Sequence, residues 1–177
     1  NDAVTELTCT QTSISLTATG GGTYSWSNGG STANTSPTSP NTYTVTVTGS
    51  NGCTDTESIT LTQDISTPTA SITNNDGTTV LTCSQTAISV TASGGSSYSW
   101  DNSLGTNTSQ SLTSAGTYSV TVTGSNGCTD NTSISLTSNS TAPTASITNN
   151  DGTTELTCSQ TSISLTASGG SSYSWSN

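Results

Sequence analysis

The 177-residue sequence contains no Lys, Arg, His, Met or Phe, so its ten carboxylates stand unopposed at a net charge of −10. Each absence removes a class of function. Nucleic acids and anionic lipid surfaces are bound by side-chain cations that displace counterions, and a chain without them is repelled by both. Without His or Lys the usual proton-transfer groups at neutral pH are missing, which argues against an enzyme and leaves no catalytic residue and no cofactor site to assign. Salt bridges between side chains cannot form, lysine-derived cross-links have no amine to start from, and trypsin has no site. No stretch is long or apolar enough to insert into a bilayer, and no helical periodicity appears. Apolar residues reach only 27%, below the globular norm, yet charged residues are 6%, which is not the profile of a charge-driven disordered chain.

Ser and Thr, together nearly half the chain, are arranged with order. The passage LTCTQTSISLTATGGGTYSWSN from Leu7 returns as LTCSQTAISVTASGGSSYSWDN from Leu81 and LTCSQTSISLTASGGSSYSWSN from Leu156. A second landmark, SNGCTD, recurs from Ser50 at Ser125. A tandem array with a period of 74 to 75 residues points to stacked small modules rather than to one catalytic domain. Within a copy, TYTVTVT from Thr42, TYSVTVT from Thr117 and SISLTA from Ser13 alternate apolar and hydroxyl residues, the signature of half-buried strands. In the middle copy the pattern predicts strands over 70–73, 79–83, 87–92, 98–101, 109–113, 117–123 and 129–137, with a hairpin-like turn at Asn74-Asn75-Asp76-Gly77. The expected fold is all-β, a series of immunoglobulin-like sandwiches over residues 1–67 (opening strand missing), 68–142, and 143–177 (truncated). The expected core is Ile88, Val90, Ala92, Trp100, Leu112, Tyr118, Val120, Val122, Ile134 and Leu136. Ile14, Leu16, Ala18, Trp26, Tyr43, Val45, Val47, Ile59 and Leu61 are its counterparts in the first copy.

A sandwich of about 75 residues buries only about 60% of its unfolded surface and benefits from a staple. Cys9 with Cys53, and Cys83 with Cys128, would each close a loop of about 45 residues, worth on the order of 4 kcal/mol in the chain-entropy account. One disulfide within each complete module is therefore expected, with Cys158 left over. Disulfides imply an oxidising, extracellular setting, so a secreted or cell-surface location is expected.

The run Tyr98-Ser99-Trp100, Gly116-Thr117-Tyr118-Ser119-Val120-Thr121-Val122-Thr123, Asn126-Gly127-Cys128-Thr129-Asp130 resembles the immunoglobulin-like repeats of very large bacterial surface adhesins, including gliding-motility adhesins and PKD-like repeats. The resemblance implies a cell-surface or filament-forming protein with self-association as its main partnership and no catalytic residues to carry over. The total lack of Lys and Arg departs from that family and suggests a specialised polymer. Asp76 and Asp151 near the joins, and Asp55 and Asp130 after the second cysteines, are weak calcium candidates, because Ca2+ takes carboxylates in flexible geometry. Turn formation by Asn-Asp-Gly explains the first pair without a metal. The sequons at Asn34, Asn107, Asn131 and Asn139 are candidate glycan acceptors, and the outward Thr and Ser rows suit either glycans or cross-strand pairing. Trp26, Trp100 and Trp175 are read as core residues rather than as sugar platforms.

Overall fold

The computed structural model describes residues 4–176, all in strands, turns and loops, in two compact units, Asn1–Ser138 and Asn139–Asn177. The first unit holds two β-sandwiches. The first contains β1 (Glu6–Thr8), β2 (Leu16–Thr17), β3 (Thr23–Trp26), β4 (Asn34–Thr35), β5 (Asn41–Thr48) and β6 (Thr54–Asp64). The second contains β7 (Ser71–Asn74), β8 (Val80–Thr82), β9 (Ile88–Ser93), β10 (Ser97–Trp100), β11 (Ser109–Leu112), β12 (Gly116–Thr123) and β13 (Thr129–Asn139). The other unit contributes β14 (Ser146–Asn149) and β15 (Leu165–Ser168).

In the second sandwich one sheet runs β10-β12-β13-β8 and the other β11-β9-β7, the two-sheet arrangement of an immunoglobulin-like fold. The first sandwich repeats this as β3-β5-β6-β1 and β4-β2, with no strand in the place of β7 among the described residues. The turn at Asn74–Gly77 does not make a hairpin, which corrects the sequence expectation. It carries the chain from one sheet to the other, since β7 pairs with β9 while β8 joins the sheet of β13. Asn74 holds the turn by accepting from Asp76 N (3.1 Å) and donating to Thr78 O (2.7 Å), and Asp76 accepts from Ser89 N across to β9 (2.6 Å).

The alternating strands place their apolar residues between the sheets, as the period of two dictates. Ile88, Val90, Ala92, Trp100, Leu112, Tyr118, Val120, Val122 and Leu136 are buried with Leu81, and Ile134 packs half-buried against them. Ile14, Leu16, Ala18, Trp26, Tyr43, Val45, Leu61 and Leu7 form the first core, with Val47 and Ile59 half-buried. Each buried aromatic has its polar atom satisfied: Trp26 Nε1 donates to Thr32 O and Trp100 Nε1 to Asn107 O, both at 2.9 Å. Tyr43 and Tyr118 each donate to a carbonyl four residues upstream at 2.9 Å, pinning the corner before their strand as the tyrosine corner of immunoglobulin domains does. Outward hydroxyls pair across strands, as in Thr42 with Thr60 (2.9 Å), Thr117 with Ser135 (2.9 Å) and Thr91 with Ser109 (3.1 Å).

The expected pairings Cys9–Cys53 and Cys83–Cys128 are not those of the structure, which joins Cys9 to Cys128. The register gives the reason. β1 runs parallel to β6 with Thr8 opposite Asp64, so Cys9 leaves at the far end of β6 while Cys53 immediately precedes its start. Eleven residues of strand separate those ends by roughly 35 Å, whereas a disulfide needs Cα atoms within about 7 Å. The second sandwich repeats the geometry: Thr79 O accepts from Thr137 N near the far end of β13, as Thr5 O does from Thr62 N, and Cys128 precedes the near end.

Candidate functional site: the joint between the sandwiches

The joint is assembled from a cysteine-bearing turn on the first sandwich, an Asn-Gly-Cys turn on the second, and the linker between β6 and β7. The Leu-Thr-Cys-Thr-Gln sequence shapes the first turn through its threonine. Thr8 N donates to Gln11 O (3.0 Å), and Thr8 Oγ1 accepts from Thr10 N (3.3 Å) and Gln11 N (3.0 Å), leaving Cys9 at the tip. The same threonine-centred bonds recur at Thr82 and Thr157, so all three copies build this turn.

The second turn is closed by Gly124 N to Cys128 O (2.8 Å) and Gly127 N to Gly124 O (3.0 Å), with Asn126 Oδ1 accepting from Cys128 N (3.1 Å). Gly127 has φ of 78°, a left-handed conformation that disfavours other residues, and a Cβ there would collide with the Thr10 side chain. The turns are therefore in van der Waals contact around the sulfurs, and Cys128 is only 2% exposed. The Cα atoms of Cys9 and Cys128 lie 5.0 Å apart.

The linker is tied to the same turn at two points. Asn126 Nδ2 donates to Asp64 Oδ1 (3.0 Å) and to Ser66 O (2.9 Å), and Asp64 also accepts from Ser66 N (3.0 Å). Asp130 Oδ2 accepts from Ala70 N (2.9 Å) just before β7. Both carboxylates titrate below the usual range. For Asp64 the Ser66 N–H is the larger cause and the Asn126 amide the next, and for Asp130 the Ala70 N–H leads and the Asn131 N–H follows. The recurring SNGCTD motif supplies this clamp, with Asn126, Gly127, Cys128 and Asp130 as four of its residues.

The remaining candidate residues lie apart. Asp55 accepts from its neighbour Thr56 N (2.9 Å), and Asp76 and Asp151 accept from Ser89 N and Ser164 N. With Asp130 on the linker, each of the four accepts from backbone N–H groups, and no three His, Cys, Asp or Glu side chains gather into a metal-binding group among the described residues. Asn34, Asn107, Asn131 and Asn139 are all exposed. Cys53 and Cys158 are exposed thiols, and Cys83 is exposed and outside the disulfide. Trp26 and Trp100 are buried, while Trp175 is 52% exposed.

A family model, FlgD Ig-like domain, matches residues 54–128, from the first residue of β6 to Cys128. No curated protein matches the chain. Among solved structures the chain is similar to a Ca2+-stabilized adhesin that helps an Antarctic bacterium reach out and bind ice. The TM-score is 0.51 and the identity 21%, over 85% of this chain and 49% of that one. The chain thus spans about half the length of that structure, and at this identity the likeness is one of fold.

Proposed function

We propose that the chain is a non-enzymatic extracellular structural protein whose sandwiches, stapled end to end, build a fibre, stalk or filament at a cell surface. The observation that carries this reading is the location of the disulfide. A bond within a sandwich would stabilise one module, whereas Cys9–Cys128 connects the leaving end of one module to the entering end of the next and fixes the joint itself. A covalent joint serves an array that must hold its geometry under load, and it persists only in an oxidising compartment. The surface supports the same reading. Hydroxyl ladders without cations are well hydrated and offer no trypsin site, and the exposed sequons are available to glycans where the machinery exists. Neighbouring repeats or subunits of the same kind are the expected partners.

Small-angle scattering of the full chain with and without reductant tests the joint. The oxidised protein should give a fixed spacing between the two sandwiches of the first unit, and reduction should broaden it. An unchanged distribution would remove the joint from the function. A second reading, spacer repeats of a ligand- or glycan-binding adhesin, is favoured by the fold likeness to the ice-binding adhesin. Electron microscopy of the native assembly separates the two: regular filaments with contacts between copies select the first, and isolated threads ending in a distinct head select the second.

A further inference from the structure

One Asn-Gly step lies inside the joint. A glycine after asparagine has no side chain to shield its backbone nitrogen, so at this step the nitrogen reaches the asparagine amide carbon most readily and the amide is most easily lost. The chain has three such steps, Asn28-Gly29, Asn51-Gly52 and Asn126-Gly127. The turns around the last two are built alike. Gly52 N donates to Gly49 O (2.9 Å) and Gly127 N to Gly124 O (3.0 Å), and Cys53 N and Cys128 N each donate to the Oδ1 of the asparagine two residues before (3.1 Å). Their surroundings differ. Asn51 is exposed, whereas Asn126 is half-buried and its Nδ2 donates to Asp64 Oδ1 (3.0 Å) and to Ser66 O (2.9 Å), with the Thr10 side chain closing on Gly127 from across the joint. Loss of the amide requires Gly127 N to give up Gly124 O and Nδ2 to give up both of its acceptors, which is to say that the clamp must open first.

We propose that Asn126-Gly127 is a deamidation site gated by the joint: protected while Cys9–Cys128 holds the two turns together, reactive once that bond is reduced, and unable to re-form the clamp after it has reacted. Gly127 N loses its proton and bonds to Asn126 Cγ, the Cγ–Nδ2 bond breaks, and ammonia leaves with that proton. Water then opens the five-membered imide. Opening at Cγ leaves an aspartate side chain at position 126, and opening at the main-chain carbonyl leaves isoaspartate, which adds a methylene to the backbone of the turn. Either product puts a carboxylate where the amide had donated, facing Asp64, and Ser66 O loses its donor. With no Lys, Arg or His in the chain, no side-chain cation can stand between the two carboxylates. The joint is thereby a one-way latch, recording a past reduction as a permanent loosening.

This rests on the joint of the proposed function, and the two fail separately, because scattering reports the spacing of the sandwiches and peptide mapping the chemistry of one residue. The full chain is incubated at mildly alkaline pH, either oxidised or reduced with its thiols alkylated, and the amide-to-acid mass gain is located by tandem mass spectrometry. In the oxidised chain Asn126 should react on the order of thirtyfold more slowly than Asn51, the factor for two hydrogen bonds. Reduction and alkylation should bring the two rates together. Asn28 is the control for the fold of the first sandwich, since its Nδ2 donates to Thr35 Oγ1 and Gly29 N to Trp26 O (2.9 Å each), and its rate should not change. Should Asn28 accelerate as well, the sandwich has opened, and Asp64→Ala in the oxidised chain decides instead: Asn126 alone should react about fivefold faster. For the latch, Asn126→Asp should lower the yield of Cys9–Cys128 on reoxidation in a glutathione buffer, and adding Asp64→Asn, which again sets a donor against an acceptor, should recover it. Equal rates at Asn51 and Asn126 in the oxidised chain overturn the gate, as does an Asn126 that stays slow after reduction with Asn28 unchanged, or one indifferent to Asp64→Ala. A full yield of the bond from Asn126→Asp overturns the latch.

Discussion

Loss of the staple should reach both sandwiches at once, and its size follows from the chain between the cysteines. Cys9 and Cys128 are 119 residues apart. In the chain-entropy account a loop of that length removes about 16 cal/mol/K from the unfolded ensemble, or about 4.9 kcal/mol at 25 °C. If only the first sandwich unfolds, the constrained segment runs from Cys9 to the linker, roughly 60 residues, and the same expression gives about 4.3 kcal/mol. Cys9→Ala is the cleaner variant, because Cys9 is exposed whereas Cys128 is 2% exposed and its replacement would add a packing defect. Trp26 and Trp100, buried in different sandwiches, report the two transitions separately in single-Trp→Phe backgrounds. Urea titration should show both midpoints falling, by roughly 2 M for a slope near 2 kcal/mol/M. A loss under about 1 kcal/mol in both transitions would refute the reasoning. So would peptide mapping, with a protease that cuts at carboxylates, that recovers Cys9 bonded to Cys53.

Three further outcomes follow from the same geometry. Gly127→Ala should destabilise the joint by more than Gly52→Ala. Both glycines have left-handed φ (78° and 82°), at a strain of about 1–2 kcal/mol, but only the Cβ at 127 meets Thr10, and Thr10→Gly should recover the difference in a double-mutant cycle. The carboxylate ties of Asp64 and Asp130 should hold above their ordinary pKa of 3.8 and be lost only as pH falls through their lowered folded values. Carboxylate NMR titration checks this, and loosening of the linker already at pH 5 to 6 would contradict it. Trp100→Ala should cost about 3–5 kcal/mol by calorimetry, whereas Trp175→Ala, at a site 52% exposed, should leave the melting temperature nearly unchanged.

Strand positions and the core faces were legible in the sequence because a period of two fixes which side chains face inward. All seven strands of the middle copy fall within one or two residues of expectation, and Val90, Val120 and Val122 are fully buried. What alternation cannot give is which end of a strand meets which. The cysteine partners depended on β1 lying parallel to β6 and on the approach of two turns 119 residues apart, neither of which leaves a local signature. Loop length favoured Cys9 with Cys53 only because it is blind to strand direction. The Asn-Asn-Asp-Gly turn was correctly a turn, but its residue types suit a sheet change as well as a hairpin. Leu7 and Leu81 are buried without a periodic signal, because each stands in a strand of only three residues, too short to show a period.

Pulling on the first unit from its two ends would send tension along β1 to Cys9, across the sulfur bridge, and out through β13 from Cys128. Residues 10–127, the bulk of both sandwiches, lie on a side branch that this covalent path bypasses. Even with every hydrogen bond in that branch broken, the molecule could not lengthen by the contour of those residues. The first unit would be nearly inextensible while oxidised, and a reductant would release the hidden length.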